Sequence, residues 1–277
     1  MKTMKKILAL VSVLALTVGV CTACGNKSDS NKSSSASTAA ADDSAKIKTL
    51  DDLKGKKIGV QLGTTGDIYA ADVKDAKVER YNKGADAVMA LTQGKIDCVI
   101  IDEQPAKVFV SQNDGIEILE EEFTNEEYAA VIKKDNTDLL DEVNKAINEL
   151  KDDGTIDKII SSYIPADGEN GGDYHYTQTV KEGDNLIMAT NAEFPPYEYK
   201  EASDIIGIDV EIGKAIADKL GRVLKVEDMA FDSIISAVNS GKADIGLAGF
   251  TVTEDRKKQV NFSESYTTTK QVIILKK

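Results

Sequence analysis

The stretch AVMALTQGKIDCVIID (residues 87–102) decides the fold class, because IISAVNSGKADIGLAG (residues 234–249) repeats its plan. Each is a helical segment, then a Gly-Lys-x-Asp turn, then an apolar strand, with the turns at Gly94 to Asp97 and Gly241 to Asp244. Both units place their next polar residues at the carboxyl end of that strand: Asp102 in one, Gly249 and Thr251 in the other. Ligands of open α/β sheets bind at those ends. The economical reading is an α/β protein of two similar lobes facing each other across a cleft.

Outward from this repeat, short β-branched runs alternate with helical stretches. Thr49 to Asp52 reads as a capping box on a short helix. Strands are predicted at 57–61, 77–81 and 97–101, with helices from Asp67 and over 85–93. Residues 137–163 read as helix interrupted at Gly154, because Leu139, Val143, Ile147 and Leu150 recur at three- and four-residue intervals. Residues 165–172 (PADGENGG) form a linker. A second series then begins, with strands at 186–190, 223–227, 243–247 and 271–276 and helices at 208–220 and 232–240.

Composition narrows the function. The chain has 277 residues, 42% hydrophobic and 29% charged, enough to bury a core. Its net charge of −13 makes nucleic acid a poor partner, since the phosphate contribution to affinity would be repulsive. A lone histidine, His175, removes most metal-site and histidine-triad chemistry, and no metal or cofactor is implied. Residues 1–23 read as a signal peptide, with Lys2, Lys5 and Lys6 before an apolar core. The end, Cys21-Thr-Ala-Cys24-Gly25, resembles a bacterial lipobox that leaves Cys24 lipidated, although Cys21 stands where leucine is usual. Residues 24–45 are small and polar and read as a disordered tether. Cys98, within a strand-like run, reads as an inert buried thiol.

Two strings carry the chemistry. NAEFPPYEY (residues 191–199) follows a strand, and its two prolines exclude helix and central strand, leaving a rigid turn that presents Phe194. AGFTVTEDR (residues 248–256) brings a glycine after a strand, then Thr253 as the cap of a helix carrying Arg256, a setting suited to a carboxylate. Together with VNFSESY (260–266) and VQLGTTGD (60–67), they resemble the polar amino-acid-binding proteins of ABC importers, which have the type II periplasmic-binding-protein fold.

That resemblance implies a site. Arg256 clamps the ligand α-carboxylate with backbone amides at Thr251 and Thr65. Asp102 takes the α-ammonium with the Thr251 hydroxyl and the Gly249 carbonyl. Phe194 and Phe231 sandwich the side chain, and Asn191, Glu193 and Gln61 set selectivity, while Tyr197 reads as core. Relatives preferring cationic ligands often have Asp where Asn191 stands, so a neutral polar amino acid is expected. The implied protein is a monomeric solute receptor, outside the cytoplasm and lipid-anchored to the outer face of the cytoplasmic membrane, which delivers its ligand to importer membrane subunits. The alternatives are a dehydratase on the same scaffold, with Glu193 or Glu103 as general acid, and an extracellular amino-acid sensor.

The family order is inverted here, since VQLGTTGD precedes NAEFPPYEY, and relatives continue past a segment like residues 271–277 into one like 48–55. A circular permutation is therefore expected. Residues 46–123 plus 271–277 form the Asp102 lobe, and 129–163 plus 184–266 the Arg256 lobe. Residues 124–128 and 266–270 are the hinges, and 164–183 the permutation linker. Ile47 and Lys277 are then expected on one lobe.

Overall fold

The computed structural model describes residues 46–119, 121, 124–166 and 171–277. The signal peptide, Cys24 and the tether lie outside these residues. The first half runs β1 (Lys57–Gln61), α1 (Thr65–Asp72), β2 (Lys77–Tyr81), α2 (Gly84–Thr92), β3 (Cys98–Asp102), α3 (Glu103–Ser111) and β4 (Ile116–Ile118). It continues through β5 (Thr124–Lys133), α4 (Thr137–Asp152) and α5 (Thr155–Tyr163). The second half runs β6 (Asn185–Thr190), β7 (Glu193–Phe194), β8 (Glu198–Glu201), β9 (Asp204–Ile206), α6 (Ile208–Lys219) and β10 (Val223–Asp228). It closes with α7 (Ile234–Asn239), β11 (Ile245–Gly246), α8 (Glu254–Lys257) and β12 (Val260–Lys276).

The two halves share one sheet in the order β10-β6-β11-β5-β12-β3-β1-β2, with β4 also on β12. Its flanks are parallel, β10–β6–β11 on one side and β3–β1–β2 on the other. The antiparallel pair β5 and β12 joins them. Residues 124–128 and 266–270, read from sequence as hinges, thus lie in two continuous strands that pair from Thr267 opposite Tyr128 to Gln271 opposite Thr124. The strand expected at 271–276 begins instead at Val260.

The core is divided about this ladder. One pair of apolar clusters holds residues such as Leu53, Val60, Leu91, Val99, Ile273 and Leu275, with Ile47 packed against it. The other pair holds Val143, Ile147, Leu186, Ile216, Val238 and Phe250. The protein is therefore two-lobed, as the repeat implies. In α4, Leu139, Val143, Ile147 and Leu150 are buried as their spacing predicts. Each such side chain contributes about 1.5–3 kcal/mol.

The repeat is one hydrogen-bonding device used twice. Gly94 and Gly241 adopt φ of +70° and +74°, turning the chain back at the ends of α2 and α7. The next amide closes each turn, Lys95 N to the Ala90 carbonyl and Lys242 N to the Ala237 carbonyl, both 2.9 Å. The aspartate then caps the neighbouring strand. Asp97 Oδ2 accepts from the Lys57 amide and Asp244 Oδ2 from the Ile187 amide, both 2.7 Å.

The structure adds detail to two readings in the second half. The proline turn is flanked by strands after all, because β7, β8 and β9 form a small separate sheet joined by the cis Pro195–Pro196 bond. The segment from Gly171 to Gly183 has no regular structure, yet it is pinned to α6. The Tyr176 amide donates to Glu211 Oε2 (2.8 Å), and the Thr179 and Val180 amides donate to Asp218 (2.7 and 2.8 Å).

Gly207 begins α6 at φ +126°, where an added Cβ would lie 2.3 Å from the Tyr197 carbonyl oxygen. Gly207→Ala is expected to cost about 3 kcal/mol through strain and backbone displacement. Urea unfolding measures it, and wild-type stability in the variant would refute this account of the turn.

Candidate functional site

The carboxyl ends of β1 and β3 and the segments after β6 and β11 converge on one slot. Its lining includes Gln61, Thr64, Thr65, Asp102, Tyr128, Asn191, Phe194, Glu198, Phe231, Gly249, Thr251, Arg256 and Gln271. All the expected binding residues line it except Glu193, which lies beside it with its carboxylate 2.6 Å from Lys83 Nζ. Glu103, the other acid considered for catalysis, pairs with Lys107 (3.2 Å) and Lys270 (3.3 Å) outside the slot.

Arg256 is placed by its helix start. The Thr253 hydroxyl accepts from the Arg256 amide (3.2 Å) and fixes α8. The buried guanidinium then donates from Nη1 to the Thr251 carbonyl (2.9 Å) and from Nη2 to the Gly63 carbonyl (3.0 Å). It lies over the rings of Phe231 (5.5 Å) and Phe250 (5.2 Å), which stack on each other. Three of its five N–H groups remain for an anion. Burial pulls its pKa down to about 10, which leaves it charged at neutral pH.

Asp102 ends β3 and caps α3, accepting from the Gln104 amide on Oδ1 (2.9 Å). The Tyr128 hydroxyl (2.9 Å) and the Thr269 hydroxyl donate to Oδ2. A carboxylate accepts about four hydrogen bonds, so roughly one position stays open for a cation. Burial raises this carboxyl to about 7 against the opposing effect of those three donors. Helix capping and a place in the slot lining therefore coexist at one residue.

Contacts from the two lobes meet across the slot. Gln61 Nε2 donates to Asn191 Oδ1 (2.8 Å), and Asn191 Nδ2 donates to the Met229 carbonyl (2.9 Å). The Thr251 hydroxyl donates to Glu126 Oε2 (2.8 Å) and lies 3.4 Å from the Thr65 hydroxyl. Phe194 stacks on Tyr197, a core residue, rather than standing alone.

Sequence reasoning missed Tyr128, Gln271 and Glu198. Tyr128 and Gln271 lie in segments read as hinge and terminal strand, where side-chain direction depends on a pairing that no local pattern reveals. Glu198 sits inside the quoted NAEFPPYEY string, fully buried beside Asp209. Burial and that neighbouring acid push its carboxyl well above the usual range, and burial lifts Asp209 to about 6. Asp209 in turn accepts from the Gly249 amide (2.8 Å) and the Tyr266 hydroxyl (2.9 Å), so it holds the backbone at the slot wall.

Residues 49–166 and 186–277 match the bacterial extracellular solute-binding proteins, family 3. The chain belongs to this family. Among family 3 relatives, it is 49% identical over 92 residues to the arginine-binding extracellular protein ArtP of Bacillus subtilis, which is 33% of this chain and 36% of that one. It is 37% identical over 123 residues to the L-cystine-binding protein TcyJ of Escherichia coli K12, covering 44% and 46% of the two chains. The matched part thus spans about a third to a half of these relatives. A solved structure of domain 1 from TmArgBP in its arginine-bound form is 37% identical, covering 34% of this chain and 80% of that one, with a TM-score of 0.29.

The slot predicts a pH dependence with a defined sign. Asp102, Asp209 and Glu198 are all raised in the folded protein by burial, so they favour folding below about pH 4; Asp209 and Asp102 lose that contribution as pH rises through about 6 and about 7, and Glu198 acts in the same direction. Without added amino acid, urea unfolding is expected to show greater stability at pH 5 than at pH 8. The reverse order would contradict the burial of these acids.

Proposed function

We propose that this protein is an extracytoplasmic solute receptor that captures an amino acid between its lobes and delivers it to an ABC importer. The observation that carries the proposal is the pairing of a buried guanidinium, Arg256, with a buried carboxylate, Asp102, in one slot. A zwitterion carries its charges on adjacent groups, so it needs a fixed cation and a fixed anion held on opposite walls. Arg256 offers N–H groups to the α-carboxylate, aided by the amides at Thr65 and Thr251. Asp102 accepts from the α-ammonium, with Thr251 and the Gly249 carbonyl beside it. A ligand bound to both lobes stabilises the form in which they meet, which is population shift by differential affinity. The importer subunits read that form.

The aromatic walls, Phe194 and Phe231, enclose the ligand side chain, and the Gln61–Asn191 amide pair closes its far end. An amide pair with Glu193 already claimed by Lys83 suits a neutral side chain that hydrogen-bonds. We place a neutral polar amino acid there, although the similar proteins carry arginine and cystine in their names.

The same proposal covers the chain's layout. Residues 46–123 plus 271–277 form the Asp102 lobe, and 129–163 plus 184–266 form the Arg256 lobe, with 124–128 and 266–270 as hinges. The division of the apolar clusters supports these limits, and Ile47 packing against the cluster that holds Ile273 and Leu275 supports a circular permutation through 164–183. Export and lipid attachment at Cys24 would hold the receptor at the outer face of the cytoplasmic membrane.

Isothermal calorimetry against the common amino acids tests the reading. A ligand at 100 times its dissociation constant should raise stability by ~2.7 kcal/mol. Arg256→Ala is expected to lose ~2–5 kcal/mol of binding while remaining folded, and near-native affinity in a folded variant would refute the slot assignment. For the permutation, a chain running from 171 to 277 and then 46 to 166 should fold and bind the same amino acid. A misfolded product would count against it.

A further inference from the structure

We infer that Lys83 sets the charge selectivity of the slot by withholding Glu193 from the ligand, an inference that rests on the amino-acid-binding reading above. Lys83 precedes α2 in one lobe, and Glu193 opens β7 in the other. Their 2.6 Å ion pair therefore spans the cleft. Its two residues adjoin the neighbourhood of the amide pair that closes the side-chain end in the reading above. The Glu193 amide donates to the Asn191 carbonyl (2.6 Å), and a Cβ on Gly84 would stand 3.7 Å from Gln61 Oε1. Glu193 is thus one of two carboxylates beside the residues that meet the ligand's far end, the other being Asp228, whose Oδ1 accepts from the Ala192 amide at 3.0 Å.

The surrounding charges leave Lys83 as its counter-ion. Asp228 is held by Lys200 at 2.6 Å, which removes Lys200 as the first partner for Glu193. Asp86 and Asp228 both favour the charged form of Lys83, so the ammonium stays in place. Slot acids offer a cationic side chain nothing comparable. The one position that Tyr128, Thr269 and Gln104 leave open on Asp102 goes to the α-ammonium, and Glu198 is buried against Asp209. A guanidinium or ammonium extended past Gln61 and Asn191 would meet the Lys83 ammonium and find Glu193 occupied. Removing the ammonium alone would turn the same end into an anionic subsite. Lys83 also ties the two lobes together, so its loss would weaken every ligand alike, whereas the charge effect acts on the ratio between ligands.

The decisive measurement is that ratio. Calorimetry would follow glutamine, cystine, arginine and lysine binding to the wild type, Lys83→Met, and the double variant Lys83→Met with Glu193→Gln. The pair is partly exposed, so all three chains should fold, and circular dichroism melts check this; Lys83→Gln replaces the methionine variant if it does not. The wild type is expected to favour the neutral ligands. Lys83→Met should shift the arginine-to-glutamine affinity ratio towards arginine by about tenfold or more, roughly 1.4 kcal/mol. The double variant should return it towards the wild-type value. An unchanged ratio in Lys83→Met, a gain that survives in the double variant, or a wild type that already prefers arginine would each overturn the role of Lys83 while leaving amino-acid binding intact. Failure of the wild type to bind any amino acid would remove the underlying reading and this inference with it.

Discussion

Everything in this molecule is referred to one antiparallel ladder, β5 against β12. These strands are the joint between two parallel half-sheets, and each runs unbroken from one apolar core into the other. The same ladder contributes to the slot lining, Tyr128 from β5 and Gln271 from β12, while Glu126 and Thr269 on the same strands bond to Thr251 and Asp102. Gln271 Nε2 and the Thr251 hydroxyl both donate to Glu126 Oε2, at 3.0 and 2.8 Å. The polar groups that hold Asp102 and Thr251 in place therefore ride on the element that joins the two half-sheets.

Concentrating charge in so enclosed a place carries a cost that the structure offsets locally. Arg256 is desolvated but has two carbonyls and two aromatic faces. Asp102 is desolvated but has three donors. A binding site assembled this way is ordered in advance, and the ligand does not have to organise it. On the proposed reading, specificity falls to the less buried groups around it, of which Lys83 and Glu193 are the charged pair.

Much of this was legible in the sequence because the relevant signals are local. The Gly-Lys-x-Asp turns mark both lobes, since a left-handed glycine and a capping aspartate act within a few residues. The Thr253 cap and Arg256 are legible for the same reason. Periodicity finds α4 because one face is apolar and the other charged. What escaped depends on distant partners. Tyr128 becomes a slot residue only because β12 brings Thr269 beside it and β3 brings Asp102. Glu193 reads as a slot residue from its neighbours in NAEFPPYEY, and only the fold shows that Lys83, 110 positions away, holds it.

The pairing of β5 and β12 also has a parity. Phe262 sits opposite Val131, Ser265 opposite Ala129 and Thr267 opposite Tyr128, so two extra residues of β12 are absorbed at two irregularities. The Ser263 hydroxyl, accepting from the Ala130 amide at 2.9 Å, and Asn144 Oδ1, accepting from the Glu264 amide at 2.8 Å, satisfy backbone groups that the ladder leaves out there. Strand side chains alternate between faces, so one extra residue would invert every position beyond it, whereas two restore the original facing. Length variation in this strand is thereby quantised. Losing two residues between Phe262 and Thr267 would keep Thr269 and Gln271 on the side of the slot, and losing one would turn both away. The segment from Gly171 to Gly183, pinned to α6 by side-chain acceptors and not by a ladder, is under no such parity rule, so a change of one residue there inverts no facing, while the bulged strand changes only in even steps.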